Sequence, residues 1–319
     1  MQSNLNKWFD LKELNIPKYF YWKWGNNAIW THDEYEGNFK VEINWKDYNH
    51  KLTLIGDFPE DQEYKLDQIE YGEFQVSIMK SHIQKCVRRK LNIQAVRSSY
   101  HLLTIDFNQF IRRINIIMLE DTTLMDSYCN LIWMMLAYSS KIWCPLNIHI
   151  QWLLGVVHNL CEVNEVIEYE KKNIFRTELY LDELSIDQKS LIYSMQIRKS
   201  YGGMKSDTEM IQSIINQKIK DFKSGGKVLK MPVKRISLIM QYLPFKNYEL
   251  SGVDFHCVPY IIDKVKEKYQ EYYEQQIKSL IWKYRSGINF RSPEVKKSKE
   301  YLRIERFLDN FSKNILKKL

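Results

Sequence analysis

The hydrophobic period of the chain changes once, near Gly72, and that change limits the folds open to it. Before it, Tyr19-Phe20-Tyr21-Trp22-Lys23-Trp24, Phe39-Lys40-Val41-Glu42-Ile43-Asn44-Trp45 and Lys51-Leu52-Thr53-Leu54-Ile55 are aromatic or β-branched. They alternate in part with period two, as half-buried strands do. Gly25-Asn26-Asn27, Glu36-Gly37-Asn38 and Asp47-Tyr48-Asn49-His50 separate them with turn residues. These stretches predict a small antiparallel sheet, closed by Gly56-Asp57-Phe58-Pro59 and followed by an acidic connector. After Gly72, apolar residues recur every three or four positions almost to the end, the helical period. The expected class is therefore mainly α, with a small N-terminal antiparallel β-sheet, α+β overall. The expected division is a β-containing domain over residues 1–75, opened by a short helix over 1–15, and a helical domain over 76–319.

Within the helical part, Met79, Ile83, Val87 and Leu91 fall at i, i+4, i+8 and i+12, one buried stripe. Asp106 is placed to cap a helix whose apolar face runs from Phe107 to Met118. Leu131-Ile132-Trp133-Met134-Met135-Leu136 is apolar all round, so its helix should be central. The run Leu131–Val157 is interrupted by Ser139, Ser140, Lys141, Pro145 and His149, which predicts two buried helices and no membrane span. Ser185 or Asp187 should cap a helix that reaches Lys199, and another opens at Ser206-Asp207-Thr208-Glu209. Lys227–Tyr248 follows no clear period. A long helix over Tyr260–Lys283 and an amphipathic one over Glu300–Leu319 complete the chain.

The net charge is +8, and its distribution says more than its sum. Residues 80–113 hold eight Lys and Arg against Asp106 alone, and residues 264–319 hold 15 against seven Asp and Glu. The rest of the chain is net acidic. Concentrated positive charge favours polyanions, nucleic acid first. In the first region, Lys85, Arg88, Arg89, Arg112 and Arg113 lie off the apolar stripe and are the candidate phosphate contacts. Pairing of these groups with the acidic body is the competing account.

Catalytic signatures are absent. Gly202-Gly203-Met204-Lys205-Ser206 and Gly225-Gly226-Lys227 contain Gly and Lys without phosphate-loop spacing. The five cysteines are widely spaced with no CxxC, which argues against a zinc site or a disulfide framework and fits a reducing intracellular compartment, cytoplasmic or nuclear. The opening residues lack the apolar segment of a secretory leader. No cofactor and no resident metal are implied. Glu120-Asp121 at a helix junction could hold magnesium, but helix capping explains the pair without an ion. Asp254 and His256, in Asp254-Phe255-His256-Cys257, form a weaker candidate site, for which capping hydrogen bonds are again the simpler account. The tryptophan-rich strands could stack bases, though aromatic core and cross-strand packing explains them as well.

Ile83-Gln84-Lys85-Cys86-Val87-Arg88-Arg89, then Ala95, then Phe110-Ile111-Arg112-Arg113-Ile114 and Glu120-Asp121 resembles the helical C-terminal region of clamp-loader-like AAA+ ATPases. That group includes bacterial MgsA and the Werner-helicase-interacting ATPase. The resemblance covers residues 80–121. It implies oligomerisation or scaffolding near replicating DNA, and no ATP hydrolysis, because the motor motifs are missing. The whole chain, Tyr201-Gly202-Gly203-Met204 included, is also similar to uncharacterised proteins of large cytoplasmic DNA viruses, which bring no known activity and would place it in a host cell.

Together these features predict a non-catalytic, nucleic-acid-associated interaction or scaffolding protein of replication, repair or genome maintenance. Its partners would be nucleic acid and either a second copy or a replication-associated protein, with no membrane. Two other classes stay open. One is a metal-dependent nucleic-acid-processing enzyme built around Asp254 and His256. The other is a structural, self-associating virion protein.

Overall fold

The computed structural model describes residues 16–67, 70–169, 181–254 and 258–319. The helix expected over 1–15, part of the connector before Glu183, and His256 lie outside the described residues. Four strands come first: β1 (Tyr19–Lys23), β2 (Ile29–Thr31), β3 (Phe39–Trp45) and β4 (His50–Asp57). The helices then follow as α1 (Glu73–Arg88), α2 (Asn92–Ile105), α3 (Phe107–Asp121), α4 (Tyr128–Ser139), α5 (Asn147–Glu162), α6 (Ile186–Ser200) and α7 (Lys205–Lys223). The last are α8 (Ser251–Asp254), α9 (Val258–Lys268), α10 (Glu274–Ile281), a π-helical turn (Trp282–Ser286) and α11 (Lys299–Leu316). The protein is mainly α-helical with a small N-terminal sheet, the class its periodicity predicts.

The chain forms two compact units, residues 1–59 with 169–228, and residues 60–168 with 229–319. In the first, the sheet order is β2-β1-β4-β3. β1–β2 and β3–β4 are antiparallel, with Phe20 opposite Trp30 and Val41 opposite Leu54. β1 and β4 pair in parallel, Phe20 opposite Leu54, so the sheet is mixed where an antiparallel one was expected. The reason is that two hairpins dock side by side, which places β4 and not β3 against β1. Its Leu52, Leu54 and Ile55 are buried. The tryptophans are core: Trp22, Trp30 and Trp45 are buried. The Trp22 indole donates to Asn26 O at 3.0 Å, and a row of serines on α6 meets Trp30 and Trp45. The Trp30 indole N–H donates to Ser194 Oγ at 3.0 Å, its backbone N–H to Ser190 Oγ at 2.9 Å, and the Trp45 indole to Ser200 Oγ at 2.8 Å. Ser185 caps α6 in a reciprocal arrangement with Gln188.

In the second unit every residue of α4 from Leu131 to Ala137 is fully buried, as its all-round apolarity requires. Asp106 caps α3 by accepting from the Gln109 N–H at 2.9 Å. Residues 229–243, which follow no period, run as an extended strap. Ile236 N–H donates to Gln151 O at 3.0 Å, Asn159 donates to Pro232 O at 3.1 Å, and Arg97 donates to the Gln241 and Tyr242 carbonyls at 2.8 Å each. The long helix expected over Tyr260–Lys283 is broken between α9 and α10. In an unbroken helix Ile277 would sit about 120° around the axis from Val265 at 100° per residue. The break lets Ile261 and Val265 on α9 and Ile277 and Ile281 on α10 all be buried.

Candidate nucleic-acid interface and the buried arginine network

The α1 stripe forms as its spacing predicts, with Met79, Ile83 and Val87 buried. The polar face is where expectation and structure part. Lys85 and Arg88 are each only 4% exposed, and Arg89 is half-buried. Segments far along the chain, α8 and residues 282–291, cover that face, so no exposed phosphate ridge forms there. Arg88 Nε pairs with Asp121, and its Nη2 lies 3.1 Å from Glu120. Nη1 donates to Ser286 O at 2.6 Å, and the guanidinium sits 5.5 Å from the centre of the Trp282 ring. Arg89 Nη2 donates to Arg285 O at 2.6 Å and its Nε pairs with Glu249 at 3.4 Å.

Glu120 and Asp121 do not open the next helix, which starts at Tyr128. They close α3, where carboxylates oppose the helix dipole. Arg88 offsets that, and Gln84 donates to both carboxylates, at 2.9 and 2.7 Å. Burial, with Asp121 alongside, raises the Glu120 carboxyl above its usual range. Burial and the neighbouring Arg88 pull the Lys85 ammonium down to about 7. One turn back, His82 is enclosed, with Ser98 Oγ 2.8 Å from Nδ1 and the Tyr248 ring stacked at 3.9 Å. Burial, with Arg89 nearby, holds its imidazole down to about 3.

A second buried pair lies on the C-terminal side. Arg285 grips Asp254 through Nε at 2.7 Å and Nη2 at 3.0 Å, pairs with Asp309, and shares Asp254 with Ser312, whose hydroxyl donates at 3.1 Å. Asp254 is thus satisfied by α11 and the π turn. Arg291 completes the network by capping helix ends. It donates to Val87 O on α1 at 2.8 Å, to Leu160 O in the last turn of α5, and to Val163 O at 2.7 Å. Guanidinium groups here serve the orphan carbonyls of helix C-termini.

Lys80, Lys90 and Arg97 of the 80–113 region are also engaged. Lys80 donates to Gln109 at 2.8 Å, Lys90 bonds Asn164, and Arg97 holds the strap. Arg112 and Arg113, on α3, are half-buried. The structure therefore does not bring Arg112 and Arg113 together with Arg88 and Arg89 as one exposed basic group.

Exposed positive charge lies instead on α11. Tyr301, Ile304, Leu308, Ser312 and Leu316 are buried, and Arg285 holds the flank of the helix through Asp309. The opposite face carries Lys299, Arg303, Arg306, Lys313 and, just past the helix, Lys317, all exposed. At 100° per residue these five fall within about 80° of one another. They make a straight basic stripe about 27 Å long. Arg303 is paired with Glu271 at 2.6 Å across the surface, whereas Lys299, Arg306, Lys313 and Lys317 have no ion-pair partner among the described residues. Sequence composition marks this region as basic but not which residues share a face. The spacing 299, 303, 306, 313, 317 is the signal that finds them.

Among the described residues no three His, Cys, Asp or Glu side chains gather in a way that could hold a metal ion. No described helix is long and apolar enough to cross a membrane. Cys86, Cys129, Cys144 and Cys161 are free thiols. No family profile, no curated protein and no solved structure matches the chain.

Proposed function

We propose that this protein is a non-catalytic, nucleic-acid-associated interaction or scaffolding protein, and that it meets the polyanion on α11. The observation that carries this reading is the stripe of Lys299, Arg303, Arg306, Lys313 and Lys317 on the solvent face of a helix whose other face is buried. A helix anchored this way cannot insert its apolar side into a bilayer, and its solvent face is suited to phosphates. Its cations would contact phosphates, and phosphate contacts fix the backbone without selecting sequence. The exposed Arg303–Glu271 pair is worth about 0–1 kcal/mol and yields readily to a phosphate. A role in replication or repair is in keeping with the resemblance of residues 80–121.

The test is retention on DNA and RNA across a salt series, comparing the natural protein with Arg306→Glu, Lys313→Glu and Lys317→Glu combined. Each phosphate contact contributes a slope of about −0.9 in log affinity against log salt for duplex and about −0.7 for a single strand. Loss of three cations should flatten the slope by roughly 2–3. Absence of salt-dependent binding by the natural protein, or an unchanged slope in the triple variant, would sink the reading.

A further inference from the structure

Beside the α11 stripe, three partly exposed rings line one flank. Phe307 and Phe311 are one turn apart on α11, with centroids 6.5 Å apart and planes 22° from parallel. Tyr269, just past α9, meets Phe307 edge-on at 6.1 Å. Cations sit over this shelf. Lys268 Nζ is 5.2 Å from the Phe307 ring and 5.4 Å from Tyr269, and the Arg303 guanidinium is 5.5 Å from Tyr269. None of the three rings is fully buried, and Lys268 and Arg303 are exposed, so both side chains can swing aside.

We infer that the nucleic acid taken by this surface is a single strand, with its phosphates along Arg306, Lys313 and Lys317 and unpaired bases on the shelf of Tyr269, Phe307 and Phe311. The inference rests on the reading above and narrows it to a substrate class. Two physical arguments support it. Proteins that bind single strands combine a cationic track with aromatic platforms, and both elements lie here on one helix. The ring spacing also favours an unstacked strand. A stacked strand advances about 3.4 Å per nucleotide along the helix axis. The near-parallel rings of Phe307 and Phe311, 6.5 Å apart, are about twice that, which suits bases drawn apart from one another. In a duplex the base faces are closed to rings by their own neighbours, so the shelf would contribute nothing.

The experiment measures anisotropy of end-labelled 20-nucleotide oligothymidylate, oligouridylate and a mixed-sequence duplex of equal length, with the full chain at fixed salt. Single strands should bind at least about tenfold more tightly than duplex. Phe307→Leu and Phe311→Leu, which keep apolar bulk and remove the ring, should each lose about 5- to 100-fold on single strands and leave duplex affinity unchanged. Circular dichroism establishes that each variant is folded. A measurement on the natural protein stands independently of the variants: a strand carrying 5-iodouracil should photocrosslink to Tyr269, Phe307 or Phe311. Equal affinity for duplex and single strands, with both leucine variants unchanged or crosslinks only to other residues, overturns the inference while the nucleic-acid reading stands. Absence of salt-dependent binding to all three probes overturns the reading itself. Of the two single-stranded probes, preference for oligouridylate would assign RNA, and preference for oligothymidylate DNA.

Discussion

Arg88 shows how far a residue's surroundings can depart from its local pattern. Its spacing puts it off the apolar stripe of α1, which in an isolated helix means solvent. In the folded chain it is enclosed by Glu120, Asp121, the Ser286 carbonyl and Trp282. All four partners lie on other elements, two of them nearly 200 positions away, and nothing in the local sequence carries that. Removing the guanidinium would leave the buried Asp121 carboxylate and the half-buried Glu120 carboxylate without their cation. Arg88→Met should cost about 3–5 kcal/mol in urea unfolding, and adding Glu120→Gln and Asp121→Asn should recover much of it. Lys85 makes the opposite prediction. Its folded pKa is about 7 against an ordinary 10.5. Between those values the unfolded chain holds a proton that the folded chain does not. Its destabilising contribution is therefore full below pH 7 and fades as pH rises toward 10.5. Lys85→Met should stabilise the protein at neutral pH, by roughly 1–4 kcal/mol. The advantage over the natural protein should shrink by up to about 1.4 kcal/mol per pH unit above 7. Unfolding curves of the two proteins at pH 6.5, 8 and 9.5 check this, and a gap that stays constant contradicts it.

At the scale of elements, periodicity and capping were legible wherever one face of a helix decides its burial. The α1 stripe, the Asp106 and Ser185 caps and the all-apolar α4 are cases. Periodicity could not resolve the strap of residues 229–243, because extended chain lying across helices is held by backbone hydrogen bonds to whatever lies beneath. Nor could it place the break between α9 and α10, which is set by the direction of two separate buried stripes. The strap depends on Gly155 in α5. A Cβ there would fall 2.0 Å from the Lys234 carbonyl oxygen and 2.8 Å from a Val233 methyl. The obstacle is backbone, which cannot rotate out of the way as a side chain would. Gly155→Ala gains helix propensity of up to about 1 kcal/mol in an unconstrained helix. Here overpacking should outweigh it and give a net loss of roughly 1–2 kcal/mol. Hydrogen exchange should show Ile236 N–H losing protection before the α5 amides do, and a variant as stable as the natural protein would show that the strap gives way at no cost.

For the whole molecule, the feature hidden from sequence is that the chain returns. The switch of period near Gly72 separates sheet from helices, and it suggests a boundary near residue 75. It cannot show that α6 and α7 belong with the sheet, because a helix's period does not record what it packs against. The local trace is the serine row Ser190, Ser194 and Ser200, which meets the backbone N–H of Trp30 and the indole N–H groups of Trp30 and Trp45, all more than 150 positions earlier. The unit of residues 60–168 and 229–319 is thus interrupted by an insertion, and its two broken ends lie close together. Ile167 N–H donates to Thr122 O at 2.8 Å, and Asp126 N–H donates to Leu229 O at 3.0 Å. Only four positions separate Thr122 from Asp126, so a short linker can span the gap left by residues 169–228. The closure entropy of such a loop grows slowly with its length, by about 0.6 kcal/mol per doubling. The unit keeps its own core around α4, both buried arginine networks and α11 with its basic stripe. Residues 60–168 joined to 229–319 through a short Gly/Ser linker should therefore give a helical protein with one cooperative thermal transition. That protein should show the same salt-dependent affinity proposed for the full chain, since every residue of the proposed interface remains. A broad, non-cooperative transition would mean that the sheet-bearing unit supplies part of this core. A folded product without affinity would place the nucleic-acid contact on the part removed.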